Sequence, residues 1–185
     1  MTWKPMLVGS IVWAALSPLA SAQNFGVGVS GGWVNDVGQD FHLNNFNPSE
    51  VTGWADYRFE DNALLRFTCG SMRTQVSDRG TVAVPGEEDR ESKERIQYYT
   101  LGVTYLFSEG FFTSGLLGGI GGYHVKPDAP GPDVTETAFG WHLGTEAIFK
   151  VYKNFGVVAR LTYHNVSAHP HRQFVNLDAG VLARF

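Results

Sequence analysis

Asn176-Leu177-Asp178-Ala179-Gly180-Val181-Leu182-Ala183-Arg184-Phe185 alternates as far as its last residue. Counting back from Phe185, the residues Ala183, Val181, Ala179, Leu177 and Val175 are all apolar. Between them stand Arg184, Gly180, Asp178 and Asn176, with Leu182 and Phe174 as the apolar exceptions. A period of two over this length describes a strand with one apolar and one polar face. The apolar face suits hydrocarbon, and the other suits a packed polar interior.

The opposite end of the chain says where such a strand would go. Lys4 supplies a positive start, Leu7 to Leu16 an apolar run, Pro18 a break, and Ala20-Ser21-Ala22 a small-residue cleavage pattern. Residues 1–22 are therefore expected to be a secretory signal peptide cut before Gln23. An anchor helix needs about 20 apolar residues, more than this run offers. No Cys follows the cut, which argues against a lipoprotein.

Composition narrows the class. The chain has 185 residues, room for one domain, so 23–185 is expected to be a single unit. Net charge is −4, and losing Lys4 with the leader makes it one unit more negative. No basic patch of the kind that holds a phosphate backbone appears, so nucleic acid is not an expected partner. The single Cys69 excludes an intrachain disulfide framework. With 22 Gly, 14% aromatics and 17% charged residues, the mixture suits a strand-built membrane barrel with aromatic girdles better than a soluble enzyme.

Seven more segments carry the same alternation. They run at about 24–34, 50–59, 63–74, 95–107, 111–125, 136–149 and 155–166. In the second, Val51, Gly53, Ala55, Tyr57 and Phe59 oppose Thr52, Trp54, Asp56 and Arg58; in the third, Ala63, Leu65, Phe67 and Cys69 oppose Arg66, Thr68, Gly70 and Met72. In the sixth, Phe139, Trp141, Leu143, Ala147 and Phe149 oppose Gly140, His142, Gly144 and Glu146. The seventh sets Phe155, Val157, Ala159, Leu161 and Tyr163 against Arg160, Thr162 and His164. The glycines of the fifth leave its facing open.

Connections alternate in length. Long ones are expected at about 35–49, 75–94, 126–135 and 167–171, and short turns at Glu60-Asp61-Asn62, Ser108-Glu109-Gly110 and Lys153-Asn154. Long outer loops and short periplasmic turns are the asymmetry of an outer-membrane barrel. The expected architecture is all-β: an eight-stranded, antiparallel, up-and-down transmembrane β-barrel. Trp33, Tyr57, Phe59, Tyr105, Phe107, Tyr123, Trp141, Phe149, Phe155 and Phe185 are the aromatics expected at its two interfaces.

The chain resembles the small eight-stranded outer-membrane barrels with OmpA-like and OmpX-like β-barrel domains. The features that carry the resemblance are Ala20-Ser21-Ala22, the segment Phe139-Gly140-Trp141-His142-Leu143-Gly144 leading into Glu146, and the Phe185 ending. It implies residence in the outer membrane of a Gram-negative-type bacterium. It also implies contact with outer-membrane lipid, and an assembly signal in Leu177, Val181 and Phe185 read by the barrel-assembly machinery. No peptidoglycan-binding domain is expected behind the barrel.

Charged residues on inward positions are Asp56, Arg58, Arg66, Glu146, Arg160, Asp178 and Arg184. In a lumen just wide enough for side chains, opposite charges should pair into a network, because an unpaired buried ion is costly. No catalytic, cofactor or metal residues are assigned. His169-Pro170-His171 lacks neighbouring ligands to complete a set, and His164 and Ser167 are three apart, hence on opposite faces. The expected role is structural, or interaction with an external ligand through the outer loops, without catalysis. The alternatives are a lipid A deacylase type of barrel enzyme and a narrow channel.

Overall fold

The computed structural model describes residues 24–37, 47–77, 91–107, 110–127, 135–169 and 171–185. The expected leader, residues 1–22, lies outside the described residues, as do Ser108 and Glu109 of one expected turn and much of the first three long connections. Eight strands follow in chain order: β1 (Phe25–Asp36), β2 (Asn47–Glu60), β3 (Ala63–Ser77), β4 (Glu91–Leu106), β5 (Phe112–Pro127), β6 (Glu136–Tyr152), β7 (Phe155–Val166) and β8 (Arg172–Arg184). Each pairs antiparallel with the next, and β8 pairs with β1, so the sheet closes. The seam is completed at the last residue: Phe25 and Phe185 exchange backbone hydrogen bonds of 3.3 and 2.7 Å. Closure leaves no edge strand, which a sheet in hydrocarbon cannot tolerate.

The period of two sets the wall. Odd-numbered residues of β2 and β4, such as Val51, Tyr57, Leu101 and Tyr105, are exposed, while even-numbered Thr52, Trp54, Asp56, Thr100 and Thr104 are buried. The same sorting holds in β6, where Leu143 is 57% exposed and Glu146 only 3%. Tyr57, Phe59, Tyr105, Phe107, Phe149 and Phe155 stand exposed near the short turns, and Trp33, Tyr99, Phe139 and Trp141 nearer the long connections. Those two sets form the girdles.

Three expectations need correction. Tyr123 is not a girdle residue: it is fully buried in the lumen. The register settles the facing of β5, since Tyr123 pairs with Tyr98 of β4 and Ala138 of β6, both buried. Ala63, expected outside, is buried, because Tyr105 opposite it reaches over to the Asn62 side chain at 2.6 Å. The connection expected at 75–94 is also shorter, for the β3–β4 ladder continues to Ser77 opposite Glu91. Lipid-facing alternation ends at the membrane, but a hairpin keeps its backbone bonds beyond it.

Large lumenal rings fit because the neighbouring strand offers glycine. A Cβ on Gly28 would overlap the Trp54 ring, and one on Gly70 would overlap the Tyr98 ring.

Candidate functional site

The lumen is layered along the barrel axis. Nearest the long connections, Arg172 of β8 grips Glu94 of β4 with Nη2–Oε1 at 2.7 Å and Nε–Oε2 at 3.1 Å. Beneath lies an apolar and aromatic layer with Val34, Met72, Ile96, Tyr98, Tyr123 and Phe174. Its rings interlock. Tyr98 stacks on Tyr123 at 5.8 Å between centroids, and His164 stacks on Phe174 at 4.8 Å. A hydrogen bond of 3.0 Å joins the Tyr123 hydroxyl to Nδ1 of His164.

The next layer turns on Glu50. Its Oε1 accepts from the Thr52 hydroxyl at 2.9 Å, the Tyr98 hydroxyl at 2.8 Å and Nδ2 of Asn176 at 2.7 Å. Three neutral donors on one carboxylate oxygen fix three strands relative to one another. Glu50 is absent from the inward set expected from sequence. Its parity in β2, matching Thr52 and Trp54, was the available signal.

Charge pairs fill the middle. Arg66 holds two carboxylates at once: Nε and Nη2 bond Asp56 at 2.6 and 3.0 Å, while Nη1 and Nη2 bond Glu146 at 2.6 and 3.2 Å. Both contacts use the planar fork that a lysine lacks. On the far wall, Arg160 bonds Asp178 through Nε at 2.9 Å and the Ser30 hydroxyl through Nη2 at 2.5 Å. Asp56 lies opposite Arg66 in the ladder, and Arg160 lies between Glu146 and Asp178. Asp56, Arg66, Glu146, Arg160 and Asp178 thus alternate in sign across the lumen. Arg58 and Arg184, the other two residues of the set, sit partly exposed near the short-turn end.

Trp54 links this layer to the one below. The Arg160 guanidinium lies 4.0 Å from its ring centroid and that of Arg66 5.6 Å, both within cation–π range. Trp54 also belongs to the apolar cluster with Ile148, Val158 and Leu182 that occupies the short-turn end. Among these groups the residual cavity is about 20 Å³, with Glu50, Arg66, Tyr98, His142 and His164 in its wall. That is room for about one water.

The histidines stay apart from one another in role. His164 is locked inside, whereas Ser167 is exposed at the outer end of β7. His169 is exposed and its backbone N–H bonds Glu136 at 2.9 Å. Among the described residues no three His, Cys, Asp or Glu side chains group as a metal site.

Of the expected assembly residues, Leu177 and Val181 face outward and are exposed, and Phe185 is half-buried at the seam.

A closed eight-stranded wall, apolar outside and filled with paired charge inside, defines an outer-membrane β-barrel. The chain belongs to the outer membrane protein beta-barrel domain family, whose model matches residues 6–185. Its place is the outer membrane of Gram-negative-type bacteria. Among solved structures it is similar to Neisserial surface protein A (TM-score 0.58, 16% identity, 87% of this chain and 96% of that one). It is similar as well to a major outer membrane protein of Thermus thermophilus (TM-score 0.62, 13% identity, 88% and 99%). A third is Ail, the attachment invasion locus protein of Yersinia pestis (TM-score 0.51, 15% identity, 88% and 97%). At these identities the likeness is one of fold. No curated protein sequence matches the chain.

Proposed function

We propose that the protein is a plugged envelope barrel, neither channel nor enzyme, whose interior is structural and whose contacts with other molecules are made from its outer end. In this reading residues 1–22 are removed on export. The barrel-assembly machinery reads Leu177, Val181 and Phe185, and the seven inward charges serve stability.

The bridge from Asp56 through Arg66 to Glu146 carries the reading. Arg66 is 4% exposed and bonded on both sides, so an ion moving along the axis would have to displace a doubly held guanidinium. Aromatic layering above and the Trp54 cluster below repeat the obstruction. A lipid-modifying site would want His, Ser and an acid converging on the outer rim. His164 is instead engaged with Tyr123 and Phe174 in the lumen, away from exposed Ser167. Ail, a barrel of like fold, is known in complex with the heparin analogue sucrose octasulfate, which sets one kind of external ligand to try.

The test is conductance together with loop replacement. Purified barrel in planar bilayers should give no stable openings. Replacing the outer segments 37–47 and 77–91 by short turns should leave the barrel folded and remove its binding to surface ligands. Stable, large openings, or mass changes in lipid A incubated with the protein, would overturn the reading.

A further inference from the structure

Two of the short turns lie on opposite sides of the barrel and carry opposite charge. In the closed order of strands, the β2–β3 and β6–β7 hairpins are half the circumference apart. The first tip presents Glu60 and Asp61, the second Lys150 and Lys153, and all four residues are exposed. None of the four has an ion-pair partner among the described residues.

Both tips are bulged. The ladder shifts register between Arg58 and Glu60 in one hairpin and between Lys150 and Tyr152 in the other. A bulge re-aims the side chains beside it. Exposure no longer alternates there: Phe59, Glu60 and Asp61 are exposed in succession, and so is every residue from Phe149 to Phe155. Val151 and Tyr152, 70% and 66% exposed, stand between the two lysines, while Tyr57 and Phe59 stand beside the two acids. Each tip is a pair of like charges set in an apolar surface.

A lipid surface or a polyion of one sign attracts one tip and repels the other. A second copy of the chain offers both signs, and offers them at the right height, because both hairpins turn at the same end of the barrel. Shifting one barrel sideways along the line that joins its tips sets Lys150 and Lys153 of one copy against Glu60 and Asp61 of the next. Small outward residues let the walls above the tips approach on the same line: Ala147 opposite Ala159 on one side, Gly53 opposite Cys69 on the other.

We infer that copies of the barrel associate side by side in the membrane plane, the β6–β7 tip of one on the β2–β3 tip of the next. The two faces differ and stand opposite one another, so the contact repeats as an open row instead of closing into a pair. Exposed ion pairs are individually weak, so rows form and part rather than persist. This lateral contact is separate from any contact made at the outer end.

The full chain carrying Cys69→Ala, Asp61→Cys and Asn154→Cys is oxidised in isolated outer membranes, and disulfide-linked species are read on denaturing gels. Both lysines and Glu60 remain in this chain. A ladder of dimers, trimers and longer species is expected. Asp61→Cys or Asn154→Cys alone should give no dimer above background, because the contact never sets a tip against its own counterpart. Gly110→Cys combined with Asn154→Cys, on the same rim but a quarter-turn away, should give no ladder. Adding K150E/K153E should lower the linked fraction about tenfold, as expected for the loss of two exposed pairs. Adding E60K to that chain should restore it. If K150E/K153E does not fold, judged by heat-modifiable migration, K150Q/K153Q decides by a several-fold loss. Absence of the ladder, equal linking by a single cysteine or through Gly110, undiminished linking in the lysine variants, or a loss that E60K does not restore would each overturn the assignment. The last would mean that the lysines meet something other than the acids of a second copy.

Discussion

Arg66 and Glu146 approach from β3 and β6, three strands apart around the wall, and meet at 2.6 Å inside the barrel. Both side chains are almost wholly removed from solvent. Taking Glu146 away leaves Arg66 paired with Asp56 alone and its Nη1 donor without an acceptor in a poorly hydrated lumen. Glu146→Ala should therefore destabilise the barrel by about 1–3 kcal/mol, the cost of leaving a buried donor unsatisfied. Glu146→Gln, which still accepts a hydrogen bond, should cost less. Urea titration of the refolded barrel in lipid vesicles measures both, and a loss under about 1 kcal/mol for the alanine would show that the bridge adds little.

Two glycines of the same wall should respond in opposite ways. Gly28 faces inward against Trp54, whose ring is held by the Arg160 and Arg66 guanidiniums and so has little freedom to yield. Gly122 lies on the outward parity of β5, where an added Cβ would meet nothing within 4 Å. Gly28→Val should cost about 1–3 kcal/mol through overpacking. Gly122→Val should be neutral or slightly stabilising, because valine favours a strand exposed to lipid. Equal effects in a denaturant titration would contradict the assigned facing.

How much of this could be read from residues alone follows from what alternation encodes. It tells inward from outward, so Asp56, Arg66, Glu146, Arg160 and Asp178 could be placed in the lumen by parity. It does not tell which inward residues meet. Glu146 neighbours Arg160 in the ladder and yet bonds Arg66 across the lumen, a contact that depends on barrel closure and shear. Glycine carries no facing information, so β5 became legible only through its partners Tyr98 and Ala138. Tyr123 misled for a different reason. A tyrosine suits a headgroup interface and a hydrogen-bonded core alike, and only its contact with His164 decides between them.

The Glu94–Arg172 pair at the outer mouth should behave differently from the central bridge. Its side chains keep 12% and 8% exposure against 5% and 0% for the central bridge, so salt reaches it more readily. Arg172→Gln should cost about 1–3 kcal/mol, as for hydrogen bonds to a charged group, and the difference from wild type should shrink as salt is raised from about 0.05 to about 1 M. The Glu146→Ala penalty should change little over the same range. A salt-insensitive Arg172→Gln effect would mean that the outer mouth is drier than its exposure indicates.

Phe185 joins two roles that one residue can separate. Its backbone closes the seam with Phe25, while its side chain is half-buried at the end of an outward face that includes Leu177 and Val181. Phe185→Ala keeps the two backbone bonds and loses the ring; deletion of Phe185 loses both. If the ring is part of an assembly signal, both variants should lower the amount of folded, membrane-embedded barrel in cells several-fold. Refolding of purified Phe185→Ala into detergent micelles, where no assembly machinery acts, should match wild type. The deletion should show an added loss of stability on the order of two hydrogen bonds, about 1–3 kcal/mol. Wild-type levels of folded Phe185→Ala in cells would remove the signal role and leave only the seam. A refolding defect equal to the cellular defect would place the whole effect in the structure of the barrel.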